Sequence, residues 1–272
     1  MNITAKELRV IELRKECDGI ERGLVADRMR AAKTRAAYDR QSRLTVATIS
    51  NAAWMDTHTE RFIRLARRAM PDAEFALVYV GKDKDIAKSK TPAMFDRMIT
   101  TPDDNTAQGY LHYNAIRYRL CSGLGVDEVV YIDPDVDIVS DISAITEDCT
   151  ASLGWCRSPV EPAGFADACR KMGLSGDAPW ANSGTLVMRG DFDEAYAKAA
   201  DDVAAVGFDP RMIGNLSFSA MLRVGGVDHQ EIPYKYGSIW WDYANLPKAL
   251  CVHYCNDNGK ARRMMLDRVW VG

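Results

Sequence analysis

The chain has 272 residues, with Lys+Arg 35 against Asp+Glu 38 and a formal net charge of −3. Its 47% hydrophobic and 27% charged residues are the proportions of a globular protein with a buried core, which excludes a disordered chain. No apolar stretch is long enough to span a bilayer, and Met1-Asn2-Ile3-Thr4-Ala5-Lys6 opens no signal-peptide core. The seven cysteines, an odd number without paired Cys-x-x-Cys units, are expected to be reduced thiols of a cytoplasmic protein.

Residues 1–43 hold eleven Lys/Arg and seven Asp/Glu, a balance of +4, and the remainder carries −7. This first segment is rich in Arg, Ala, Glu and Leu, has no strand-like run, and reads as a basic helical extension. Its Arg28–Arg43 half could meet a polyanion, although a solvated helix face is the commoner meaning of such a run. From residue 44 strands alternate with helices. The β-branched run 44–50 predicts a first strand, Thr57 and Glu60 form a capping-box pattern, and Phe62, Ile63, Leu65, Ala66 and Ala69 give the next helix its apolar face. A second strand is expected over 74–80, a long polar loop over 82–105, a helix over 107–121 and a buried strand over 128–132. Further strands are expected over 151–156, 183–188 and 249–254, with a loop over 157–180 and helices near 191–206 and 211–224. The alternation predicts an α/β sandwich around a mostly parallel sheet, with one domain over 44–272.

The most informative segment is Val129-Val130-Tyr131-Ile132-Asp133-Pro134-Asp135-Val136-Asp137, an apolar strand running into carboxylates at every second position. Ligands of open α/β sheets bind beyond the carboxyl ends of strands, where these acids would lie. Anions so close together raise one another's pKa unless a cation neutralises them, and a hard divalent ion, Mn²⁺ or Mg²⁺, does so economically. A helix–loop–helix calcium site needs Gly and Glu where Ile138 and Ala144 stand. A haloacid-dehalogenase-type phosphatase would have Thr or Val at the position of Asp137, near the start of the chain. Cys251, His253 and Cys255 alternate on one strand as in a zinc array, but lack a fourth ligand, so buried thiols fit better.

Four motifs in order resemble glycosyltransferases of the GT-A fold, most closely glycosyltransferase family 8. They are Tyr118-Arg119-Leu120, Tyr131-Ile132-Asp133-Pro134-Asp135 with Asp141-Ile142-Ser143, Asn182-Ser183-Gly184, and Val252-His253-Tyr254-Cys255. The resemblance covers residues 44–272 and implies a Rossmann-like nucleotide-diphospho-sugar transferase sandwich. It implies a retaining hexosyltransferase that uses a nucleotide sugar, usually a UDP-sugar, with Mn²⁺ held by Asp133, Asp135 and His253. It further implies that Arg119, Ser183 and Gly184 contact the donor and that Asn182 lines the sugar pocket. Thr48, Ser50 and Asn51, at the end of the first strand, correspond to groups that hold the base or ribose. Gly259 and Lys260 stand where the family has Gly and Lys-Pro-Trp, but the Gly is displaced and Lys-Pro-Trp is absent. The family's Asp-Gln pair has no counterpart, and Asn215 is the nearest polar candidate for the reaction centre. The acceptor is by analogy a carbohydrate or lipid-linked saccharide, and the basic segments leave a polyanion such as modified nucleic acid open. A nucleotidyltransferase and a catalytically silent nucleotide-sugar-binding module are the alternatives. The first would ordinarily carry a Gly-rich basic loop after the first strand, where Ser50-Asn51-Ala52-Ala53-Trp54 stands.

Overall fold

A computed structural model of the chain describes residues 43–102, 115–159, 164–175, 180–207, 210–224, 226–255 and 259. The expected helical extension over 1–43, all but its last residue, and the first part of the helix expected over 107–121 lie outside the described residues. The main helices among the described residues are α1 (Glu60–Ala69), α2 (Leu120–Leu124), α3 (Phe165–Lys171), α4 (Asp193–Ala205) and α5 (Pro210–Val224). The strands are β1 (Thr45–Asn51), β2 (Glu74–Val80), β3 (Arg97–Thr101), β4 (Val129–Ile132) and β5 (Val136–Ile138). They continue with β6 (Leu153–Arg157), β7 (Ala181–Met188), β8 (His229–Glu231), β9 (Ser238–Ile239) and β10 (Cys251–His253).

Seven strands form the central sheet in the order β3-β2-β1-β4-β7-β6-β8. All neighbours pair in parallel except β7, which runs against both β4 and β6. The parallel centre is buried on both faces, as its near-continuous apolar strands require. On one face Ala47, Ile49 and Tyr131 pack with Tyr196 of α4 and Phe218 of α5. On the other, Val46, Leu77, Val130 and Ile132 meet Phe62, Ile63 and Ala66 of α1. A second, three-stranded sheet in the order β5-β10-β9 stands where β4 ends. In it β10 runs against β5, with His253 opposite Val136, and alongside β9, with His253 opposite Ile239.

Four local expectations need correction. The stretch 157–180 is not loop throughout, since its Phe165–Lys171 run is helix α3, which buries Phe165, Ala168 and Cys169 against the core. Thr57 does not cap α1. The chain turns helical at Ala52, where Asn51 Oδ1 accepts the Trp54 N–H at 3.2 Å, and then passes through a π-turn, Met55–Thr59. Within that turn the Thr57 hydroxyl donates back to the Trp54 carbonyl, 3.2 Å away, which is what a threonine does inside a helix. The polar stretch 82–105 is not loop throughout. Its Arg97-Met98-Ile99-Thr100-Thr101 run pairs with β2 as an edge strand, and solvent on one side explains why its residues are mixed. The helix expected to continue through residue 121 breaks at Tyr118–Arg119, because the Tyr118 carbonyl accepts the Phe192 N–H at 2.7 Å.

One buried ion pair joins the layers. Arg61 of α1 grips Asp137 of β5 through Nε, at 3.0 Å from each carboxylate oxygen, and through Nη2, 2.7 Å from Oδ2. The side chains are 14% and 3% exposed, so removing either partner strands a buried charge. Arg61→Leu is expected to destabilise the protein by about 3 kcal/mol, read as a lowered urea midpoint.

Candidate functional site

The site begins with β4, whose four residues are all buried. Beyond Ile132 the ladder continues for one step, Asp133 N–H donating to the Gly184 carbonyl of β7 at 2.8 Å. The chain then turns tightly at Pro134, with Val136 N–H returning to the Asp133 carbonyl at 3.0 Å. Asp135 is thereby delivered to the second sheet, where its carbonyl accepts the Tyr254 N–H at 3.0 Å. That bond fixes His253 beside it: Nε2 lies 3.3 Å from Asp135 Oδ1. One ligand atom each from Asp133, Asp135 and His253 falls within 4.8 Å of the others, and Asp135 and His253 are buried. Two carboxylate oxygens and an imidazole nitrogen make a donor set suited to a hard or borderline divalent ion. The third acid of the run, Asp137, is turned away to Arg61 and takes no part. Neither Cys251 nor Cys255 joins this group. Burial drives the Cys251 thiol pKa up, as for a core residue, so the zinc-array alternative falls away.

A buried arginine that the motif matches did not single out completes the cluster. Arg117 is 5% exposed, and its Nη2 lies 3.0 Å from Asp133 Oδ1. Its Nη1 donates to Ser183 Oγ at 2.5 Å and to the Ser183 carbonyl at 3.2 Å, and the guanidinium lies 4.6 Å from the Tyr131 ring centroid. The Tyr131 hydroxyl also donates to Asp133 Oδ1. Arg119, the residue expected in this place, instead faces solvent, 66% exposed and 3.3 Å from Asp193. The signal for Arg117 is helical spacing. Leu120, Cys121 and Leu124 face inward, and positions three and four residues before them point the same way.

The other expected residues divide. Ser183 Oγ donates to Asn215 Oδ1 at 2.8 Å, which brings Asn215, otherwise exposed, to the rim of the cluster. Asn182 accepts the Gly184 N–H on Oδ1 at 2.8 Å, and its Nδ2 lies 3.1 Å from His253 Nδ1. Thr48 and Ser50 have no exposed surface: the Thr48 hydroxyl has no hydrogen-bond partner among the described residues, and Ser50 Oγ bonds Thr59 Oγ1 at 2.6 Å. Their hydroxyls therefore belong to the interior, and only the half-buried Asn51 stands at the strand end, next to the Trp54–His58 ring pair. Gly259 packs on Trp240, where a Cβ would lie 2.5 Å from the indole nitrogen. The backbone N–H of Trp240 donates to the His253 carbonyl at 3.2 Å. Lys260 lies outside the described residues.

Burial alone would lower the His253 pKa, but attraction to Asp135, with help from Asp133, outweighs it and the net direction is upward.

No protein-family model and no curated protein matches the chain. Solved structures do. The galactosyltransferase LgtC, in complex with donor and acceptor sugar analogues, superposes with a TM-score of 0.58 at 13% identity, over 79% of this chain and 88% of that one. The glycosyltransferase GlyE of Streptococcus pneumoniae TIGR4 gives 0.52 at 16% identity, over 80% of this chain and 55% of that one. The apo bifunctional glycosyltransferase WbbM gives 0.53 at 11% identity, over 79% and 46%. At such identities the likeness establishes the architecture: this chain has the GT-A glycosyltransferase fold.

A Cβ on Gly184 would stand 2.5 Å from His253 Cε1 and 2.7 Å from Nδ1. Gly184→Ala is therefore expected to displace the ring from Asp135, read as a shift of the His253 imidazole signals in long-range ¹H–¹⁵N spectra. In EDTA, the raised His253 pKa stabilises the fold fully below the unfolded value of about 6.5, and that contribution fades as pH rises through the folded value. Urea midpoints of wild type and His253→Gln are expected to differ most at acid pH and to converge on the alkaline side.

Proposed function

We propose that the protein is a metal-dependent, retaining glycosyltransferase that moves a hexose from a nucleotide sugar, a UDP-sugar in the first instance, to an acceptor hydroxyl. The observation that carries this reading is the convergence of Asp133, Asp135 and His253 at the carboxyl end of β4 in a GT-A fold. The donor and acceptor sugar analogues named with LgtC support a sugar-transfer chemistry for this architecture. Mn²⁺ or Mg²⁺ at these three residues would offset the charge of the departing diphosphate.

The protein's own residues divide the remaining work. Asp133 and Asp135, with His253, would hold the counter-ion of the donor's diphosphate. Arg117 keeps a fixed positive charge against Asp133, within the same buried cluster. Ser183 is fixed between Arg117 and Asn215, which ties β7 to the arginine beside Asp133. No carboxylate outside the metal triad stands in this cluster to act as a covalent nucleophile among the described residues. That composition favours front-side attack, in which the acceptor oxygen bonds to the anomeric carbon on the face that the diphosphate leaves. No described helix is long and apolar enough to cross a membrane. The acceptor in this reading is a carbohydrate or lipid-linked saccharide, by analogy with the architecture.

Incubation with a panel of UDP-sugars and Mn²⁺ is expected to release UDP from one of them. Asp135→Ala is expected to abolish Mn²⁺-dependent donor binding in a titration calorimeter. Pyrophosphate exchange would point to a nucleotidyltransferase, and a bound but intact donor to a silent binding module. Unchanged donor affinity in Asp135→Ala would refute the site.

A further inference from the structure

The Asn182 carboxamide sits between a backbone donor and the imidazole. A backbone N–H can only donate, so the atom facing Gly184 N at 2.8 Å must be oxygen, and the orientation of the side chain is settled. The amide nitrogen is thereby turned to His253 Nδ1, 3.1 Å away, and this nitrogen can only donate. When the ring is neutral, Nδ1 therefore accepts and the single hydrogen belongs on Nε2, which faces Asp135 Oδ1 at 3.3 Å. Asn182 is 7% exposed, and its oxygen side is held by the main chain of β7, so the amide cannot reverse without setting two donors against each other.

A histidine that ligates metal through one ring nitrogen normally donates its other N–H to a carboxylate or carbonyl. Here the partner at Nδ1 is a donor, the opposite polarity. We infer that Asn182 is a positioning residue that both aims the His253 ring and disfavours its metal-bound form, so that the site captures a divalent ion more weakly than its ligands alone would allow. This inference rests on the proposed role of His253 as a metal ligand. Cation capture at Nε2 would move the ring hydrogen to Nδ1, against the Asn182 amide. An aspartate at 182 would keep the bond from Gly184 N–H and accept the hydrogen on Nδ1.

Two measurements test this. Long-range ¹H–¹⁵N spectra of the metal-free protein, with His253 assigned by its loss in His253→Gln, are expected to show the ring hydrogen on Nε2 in wild type and on Nδ1 in Asn182→Asp. A wild-type ring protonated on Nδ1 alone overturns the inference, whether or not metal binds. Mn²⁺ titration at pH 8, followed by electron paramagnetic resonance, is expected to give about tenfold tighter binding for Asn182→Asp. Asn215→Asp, which adds the same charge at the rim without touching His253, controls for Coulomb attraction and is expected to tighten binding far less. Equal gains in the two variants, or none in Asn182→Asp, overturn the inference. If no protein binds Mn²⁺ while Nε2 carries the hydrogen, the ring polarity stands and the metal reading fails. Thermal melts confirm that each variant is folded.

Discussion

Everything at this site follows from where three carboxylates find their partners. Asp133, Asp135 and Asp137 leave β4 at alternate positions, and left together they would repel one another strongly. The fold sends one away and gives each a partner of its own. Asp137 goes to Arg61 on one side of the molecule, Asp133 to Arg117 and Tyr131, and Asp135 to His253. The turn at Pro134 is what makes the sorting geometric: it ends one sheet and starts another between the first acid and the second.

The small sheet does the long-range joining. His253 stands opposite Val136 because β10 pairs with β5, although the two lie far apart in sequence. Ser183 and Gly184 reach the same place on β7, which runs against its neighbours so that its start, not its end, meets the carboxyl end of β4. A wholly parallel sheet would carry the Asn182-Ser183-Gly184 run to the opposite edge. The reversed strand is therefore a requirement of the site rather than an irregularity of the sheet.

Much of this was legible in the sequence, for stated reasons. The β-branched and apolar runs specified β1, β2, β4 and β7 because central strands are buried on both faces. The acid triplet was visible because three charges after four apolar residues have few structural uses. Strands β5, β8 and β9 were invisible, since two or three residues hold no periodicity and depend wholly on pairing. The choice of arginine depended on helix phase rather than motif: Arg117 and Arg119 are two positions apart, so on a helix they face different ways. Thr48 and Ser50 looked like pocket residues because they are polar near a strand end. Which face a strand turns to a helix cannot be known before the helix has been packed against it.

The lengths of β5, β9 and β10 have one more consequence. Asp133 is anchored on the broad central sheet, whereas Asp135 and His253 hang on strands of two or three residues. Short ladders of this kind open locally at far lower free energy than a central sheet does. Any ligand that needs all three side chains will bind only the closed form, and so will draw the fraying strands shut in proportion to its own affinity. Amide hydrogens of residues 251–254 would then report occupancy, exchanging more slowly when such a ligand is bound than when it is not.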